Sequence, residues 1–239
     1  MSRSAQRGFT LLEMGIVIVV IGLITGGILV GQDLIRTAEV QSIVTSMQKY
    51  QAATGRFQSQ FASLPGDMPD ASSHWAGAAD GDGDSFIDND FSLLGPISTP
   101  EAYQFWLHLN LAGEIAEPMT GSKYVGTDTI TAGLNAPTSK IGGSVLMPGY
   151  DANTAFVNVP AVAPDNFFIF SGDTTANLGF PAPILTPGEA MMIDTKIDNG
   201  TSNTGSVVGY PDDGTCITGA VYMAADTRRQ CSLIFLNAF

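Results

Sequence analysis

The chain has 239 residues and 25.0 kDa, with 23 acidic and 10 basic side chains and a formal charge of −13. That acidity excludes a generic nucleic-acid binder, which needs Lys and Arg for phosphates. Two cysteines exclude a cysteine-stapled scaffold but allow one bridge, and the length supports a sizeable core.

Residues 1–8 carry Arg3 and Arg7 and no acid. Phe9 to Val30 then holds a single charge, Glu13. As a helix this run is about 33 Å long, enough for a bilayer core of about 30 Å. The arginines place the N-terminus in the cytoplasm and the body beyond the membrane. The apolar run has no small-x-small break. It leads into Val40, Ile43, Val44, Met47 and Tyr50, spaced for one helical face. One helix is therefore expected over residues 9–54, stopping at Gly55. Glu13 needs a partner, because a carboxylate at the centre of a membrane helix costs about 2.5–3.5 kcal/mol on insertion scales. No Lys or Arg lies between Arg7 and Arg36, so a partner from another chain is the natural solution. A plain secretory signal or signal anchor is the competing reading.

Arg7-Gly8-Phe9-Thr10-Leu11-Leu12-Glu13-Met14 resembles the type IV prepilin signature. The resemblance implies cleavage after Gly8 by a prepilin peptidase, N-methylation of Phe9, and pairing of Glu13 with the terminal amine of a neighbouring subunit. It also implies an inner-membrane assembly platform and a helical filament of pilin or type II secretion pseudopilin subunits, extracellular or periplasmic. Many relatives carry proline at the position of Val30, so no proline kink is expected here, though Gly22, Gly26, Gly27 and Gly31 allow local loosening.

Residues 55–239 read as an α+β body, the long helix packed on a mainly antiparallel sheet, which is also the pilin architecture. Thr99-Pro100-Glu101 opens a helix closed by Gly113, with Ala102, Phe105, Trp106 and Leu109 inward. Thr186-Pro187-Gly188-Glu189 is a capping box opening another, with Ala190, Ile193 and Ile197 inward and Asp194 and Asp198 at a solvated end. Strands are expected at 144–147, 155–159, 166–170, 207–210, 220–225 and 232–236. Leu64-Pro65-Gly66-Asp67, Trp106-Leu107-His108-Leu109 and residues 193–198 also resemble stretches of large prepilin-type proteins, with no chemistry attached. Cys216 and Cys231 suit a disulfide in a body outside the cytoplasm, and such a C-terminal loop is common in pilins.

The segment from Asp80 to Asp90 packs five aspartates into eleven residues. Asp80, Asp82, Asp84 and Asp88 fall at places 1, 3, 5 and 9 of an EF-hand-like loop, with the Phe86 carbonyl at place 7. Ser85 replaces the usual glycine and Phe91 the bidentate glutamate. Either Asp90 stands in for that glutamate or the site is weaker and partly hydrated. Oxygen-only ligands favour structural Ca²⁺; a solvated acidic turn is the alternative. His74 and His108 stand in no catalytic pattern, and Ser46-x-x-Lys49 lacks the partner motifs of its enzyme class. The sequence reads as a non-enzymatic filament subunit. The alternative is a calcium-dependent adhesin or cargo-binding module mounted on a pilin-type helix.

Overall fold

A computed structural model describes residues 9–88, 101–122, 130–150, 166–173, 181–211 and 213–239. The expected strand at 155–159 and the cap residues Thr99 and Pro100 lie outside these. The chain divides into two compact units, Met1–Glu39 and Val40–Phe239. Helix α1 is Leu11–Phe61.

In the first unit the large apolar side chains from Phe9 to Ile35 are solvent-facing, with Leu11 94% exposed. Such a surface is stable only in lipid or against other apolar helices. This helix is long and apolar enough to cross a membrane.

In the second unit α1 buries Val40, Ile43, Val44, Met47, Tyr50, Ala53 and Phe57 on one face. Beyond it come α2 (Ala71–His74), α3 (Glu101–Leu111), β1 (Ser144–Tyr150), β2 (Asn166–Gly172), α4 (Pro187–Ile197), β3 (Val207–Tyr210), β4 (Ile217–Thr218), β5 (Val221–Tyr222) and β6 (Ser232–Phe235). The main sheet has the order β1-β2-β6-β3, antiparallel throughout. Residues 144–150 pair with 172–166 along the full length of β1 and β2. In β2 the alternation is lost, since Asn166 to Gly172 are all buried. Phe168 and Phe170 join the main core with Trp106 and Tyr50, whereas Phe167 and Ile169 join a second cluster with Val208 and Ile234. A strand buried on both faces shows no polar alternation.

The helix does not stop at Gly55. It continues to Phe61 because Phe57, fully buried, stacks on His108 and packs at a tilt against Phe61 and Trp75. Burying an aromatic ring outweighs the roughly 1 kcal/mol that glycine costs in a helix. The turn that ends it falls on Ala62, at φ 55°. The strand expected at 220–225 shortens to Val221–Tyr222, hairpinned to β4 through Gly219 at φ 59°.

The α4 end also differs from expectation. Its capping box is present, with Glu189 N–H donating to Thr186 Oγ1 and Thr186 N–H to Glu189 Oε2. Asp194, however, is fully buried, accepting from Tyr222 Oη and Gly200 N–H at 2.9 Å each. Burial holds its carboxyl above the ordinary range. Asp198 accepts from Ser206 N–H at 2.6 Å. These carboxylates close the turn after the helix, while Ile197 sits at the surface.

Candidate functional site

Two regions carry the sequence-derived candidates. At the head of α1, Glu13 Oε2 accepts from the backbone N–H and the Oγ1 of Thr10, both at 2.8 Å. Glu13 N–H donates back to Thr10 Oγ1 at 3.2 Å. Thr10-x-x-Glu13 is thus a capping box, the same device as Thr186-x-x-Glu189, which the sequence reading missed at this position. The pattern itself was the available signal. Phe9 is 79% exposed, and Gly8 lies outside the described residues.

The second region forms where three separate motifs meet. The α3 residues Glu101, Gln104 and His108 recur at helical spacing and are all buried, with Glu101 at 3% exposure and His108 at 0%. Each grips the segment 79–88. Glu101 accepts from the N–H groups of Asp82 (3.2 Å) and Asp88 (2.8 Å). Gln104 accepts from Ala79 N–H, and His108 Nε2 meets the Ala79 carbonyl at 3.1 Å. On its other side His108 Nδ1 accepts from Gly66 N–H at 2.9 Å, which fixes the neutral Nε2–H tautomer. Burial pushes this imidazole down to about 4, against the smaller pulls of the Ala79 carbonyl and Asp80.

Asp67, 2% exposed, closes the opposite side. Its Oδ1 accepts from Gly83 (2.6 Å) and Asp84 (3.2 Å), its Oδ2 from Ser85 (2.9 Å). Asn166, at the start of β2, accepts from Ile87 N–H and donates to the Ser85 carbonyl. Five buried polar side chains therefore hold one acidic segment by its backbone. The approach is close enough to demand glycine. A β-carbon on Gly66 (φ 90°) would stand 2.5 Å from the Glu101 carbonyl, and one on Gly81 would collide with the Asp67 backbone.

The expected EF-hand-like set is distributed differently. The carboxylate oxygens of Asp82 and Asp84 gather with that of Asp67, all within 4.8 Å of one another. Asp80 instead binds Ser72, accepting from its N–H at 2.7 Å and its Oγ at 3.0 Å. Asp88 offers its N–H to Glu101, the Phe86 N–H donates to Asp84 Oδ1, and Asp90 lies outside the described residues. Asp67 and Glu101 were not foreseen. Burial raises the Asp67 carboxyl and pushes Glu101 up to about 7, in both cases with neighbouring aspartates adding to the effect. No Lys or Arg occurs between residues 62 and 88. Three converging carboxylates without a cationic residue in the segment fit a hard divalent ion.

The remaining candidates take structural places. Cys216 and Cys231 form a disulfide, tying the start of β4 to the start of β6. Lys49 pairs with Glu117 at 2.6 Å, so Ser46-x-x-Lys49 is a helix face with its cation engaged. His74 is exposed, 3.6 Å from Asp70.

The family described as the prokaryotic N-terminal methylation motif matches residues 3–29. No curated protein and no solved structure matches the chain. Residues 3–29 are a prepilin-type N-terminal methylation signature, and they head an α+β, pilin-like chain.

Proposed function

We propose that this chain is a structural, non-enzymatic subunit of a type IV pilus-like or type II secretion pseudopilus filament. The carrying observation is the methylation signature at 3–29 on a helix whose large apolar side chains face outward from Phe9 to Ile35. A prepilin peptidase cuts between Gly8 and Phe9, and Phe9 becomes the N-methylated first residue. The Arg3 and Arg7 end is cytoplasmic, the apolar stretch waits in the inner membrane, and an assembly platform feeds it into the filament. Assembly transfers the exposed helix faces from lipid to one another, and Glu13 exchanges its contact with Thr10 for a neighbour's terminal amine. The test is the N-terminus of the chain recovered from its native membrane. N-methyl-Phe9 is expected; a chain starting at Met1, or cut beyond Val30, overturns the reading.

A second proposal concerns the acidic segment. Calcium held by Asp67, Asp82 and Asp84, with water or backbone oxygens completing the shell, relieves the repulsion among carboxylates that the fold has brought together. Its role is structural, fixing a segment that three motifs already converge on. The full chain in detergent should melt several degrees higher with calcium than with chelator. Equal melting temperatures, or an Asp84→Asn variant that keeps the whole calcium shift, overturn it.

A further inference from the structure

Asn199 and Gly200 are the one Asn-Gly pair in the chain. Such a pair is open to an internal reaction that other asparagines undergo slowly, because glycine has no β-carbon to keep its backbone nitrogen from the preceding side chain. That nitrogen attacks the asparagine Cγ, closes a succinimide ring and expels the side-chain nitrogen. The fold requires glycine here. Gly200 has φ 75°, and a β-carbon on it would stand 2.6 Å from Thr195 Oγ1.

The turn after α4 holds each of the reacting groups. The Gly200 N–H, on the attacking nitrogen, donates to Asp194 Oδ1 at 2.9 Å. Asn199 Oδ1, on the carbon attacked, accepts from Thr201 N–H at 2.6 Å. The leaving nitrogen, Asn199 Nδ2, lies 3.3 Å from Thr204 Oγ1. A carboxylate on the N–H is placed to take its proton, and a backbone donor on the carbonyl oxygen is placed to stabilise the charge that develops there. Asp194 is fully buried, and burial makes it a stronger base than a surface carboxylate. Asn199 is exposed, so water reaches the ring once it has closed.

We propose that Asn199 is a self-modification site, at which the folded chain deamidates itself with Asp194 as the base. Asp194 Oδ1 takes the proton of Gly200 N–H, the Gly200 nitrogen bonds to Asn199 Cγ, and the Cγ–Nδ2 bond breaks. The side-chain nitrogen leaves as ammonia, carrying the proton that Asp194 took. Water then opens the succinimide to aspartate or isoaspartate at position 199. The reaction adds a carboxylate beside Asp198 in the turn between α4 and β3, a one-way change that accumulates with the age of the chain. It does not depend on the filament reading.

The test incubates the full chain in detergent at neutral pH and follows the peptide containing Asn199 by mass spectrometry that separates asparagine, succinimide, aspartate and isoaspartate. The same chain unfolded in guanidinium chloride gives the rate of the bare pair. Folded chain should convert about tenfold faster than unfolded chain, a modest share of what a placed base contributes. Asp194→Asn keeps an acceptor for Gly200 N–H and a partner for Tyr222 but takes no proton. It should lower the folded rate about tenfold and leave the unfolded rate unchanged. Folded conversion no faster than unfolded overturns the proposal, because the turn then shields the pair. A folded Asp194→Asn chain that converts at the wild-type rate overturns it too. If denaturation curves show that Asp194→Asn does not fold, the wild-type comparison decides alone.

Discussion

Glu13 and Thr10 satisfy each other: one carboxylate oxygen takes both the backbone and the hydroxyl donor of Thr10, and Thr10 takes the Glu13 N–H in return. The carboxylate that would be costly alone in an apolar helix therefore has a partner inside a single chain. Cleavage at the proposed Gly8–Phe9 bond would leave this box intact, because its donor is the amide of Thr10. Thr10→Ala should weaken the cap by about 1 kcal/mol. In detergent, hydrogen exchange at the Glu13 amide, which loses its Thr10 Oγ1 acceptor, should quicken about fivefold, with exchange in the body unchanged.

Local signals were legible in the sequence, and long-range convergence was not. The α4 capping box, the long helix and the disulfide each follow from residues close in sequence or from cysteine number. The acidic segment stood out by composition, yet its holders lie as far off as Asn166, 79 residues from Ile87. Asp67, Glu101 and His108 belong to motifs that looked separate, and only the tertiary structure joins them. A trace existed in α3, where Glu101, Gln104 and His108 repeat at helical spacing beside Phe105 and Trp106. Polar residues at that period usually mark a solvated face; here another segment covers them.

His108 makes stability fall in acid. The unfolded imidazole takes its proton near 6.5, whereas the folded one waits until about 4. The unfolded state thus binds more protons between those values, and stability is lost as pH drops from 6.5 through 4. The shift corresponds to about 3 kcal/mol. Glu101, pushed up to about 7, acts in the opposite sense: its contribution is complete below 4.5 and is lost as pH rises through 7. The two effects overlap, so wild type alone does not separate them. His108→Gln keeps a donor and an acceptor without titrating. Denaturant unfolding followed by Trp75 and Trp106 fluorescence should show wild type losing about 3 kcal/mol relative to this variant between pH 7 and 4. Parallel curves would refute the assignment.

The disulfide stabilises by loop closure. Cys216 and Cys231 are both fully buried and lie 15 apart in sequence, a closure that contributes about 3 kcal/mol in the chain-entropy model. It also holds Cys231 where its carbonyl accepts from Ile184 and Leu185 N–H, the approach to α4. The double variant Cys216→Ser/Cys231→Ser should lose about 3 kcal/mol. Protease susceptibility should rise first in the 213–230 hairpin, since α4 and β5 share the Tyr222–Asp194 bond.

One substitution, glycine to alanine, should have opposite signs at two positions. Gly55 lies exposed within α1, and an added β-carbon meets nothing within 4 Å. Gly55→Ala should stabilise by about 1 kcal/mol, because alanine loses less backbone entropy in a helix. Gly81 lies against the Asp67 backbone, where a β-carbon has no room and neither chain segment is a flexible side-chain end. Gly81→Ala must push the acidic segment off Asp67, losing bonds to Gly83, Asp84 and Ser85. A loss of about 2–4 kcal/mol is expected, since Asp67 is then buried without its donors. Unfolding of the two variants beside wild type decides it. A destabilised Gly55→Ala would mean that the helix needs flexibility there, and a neutral Gly81→Ala would mean that Asp67 does not hold the segment.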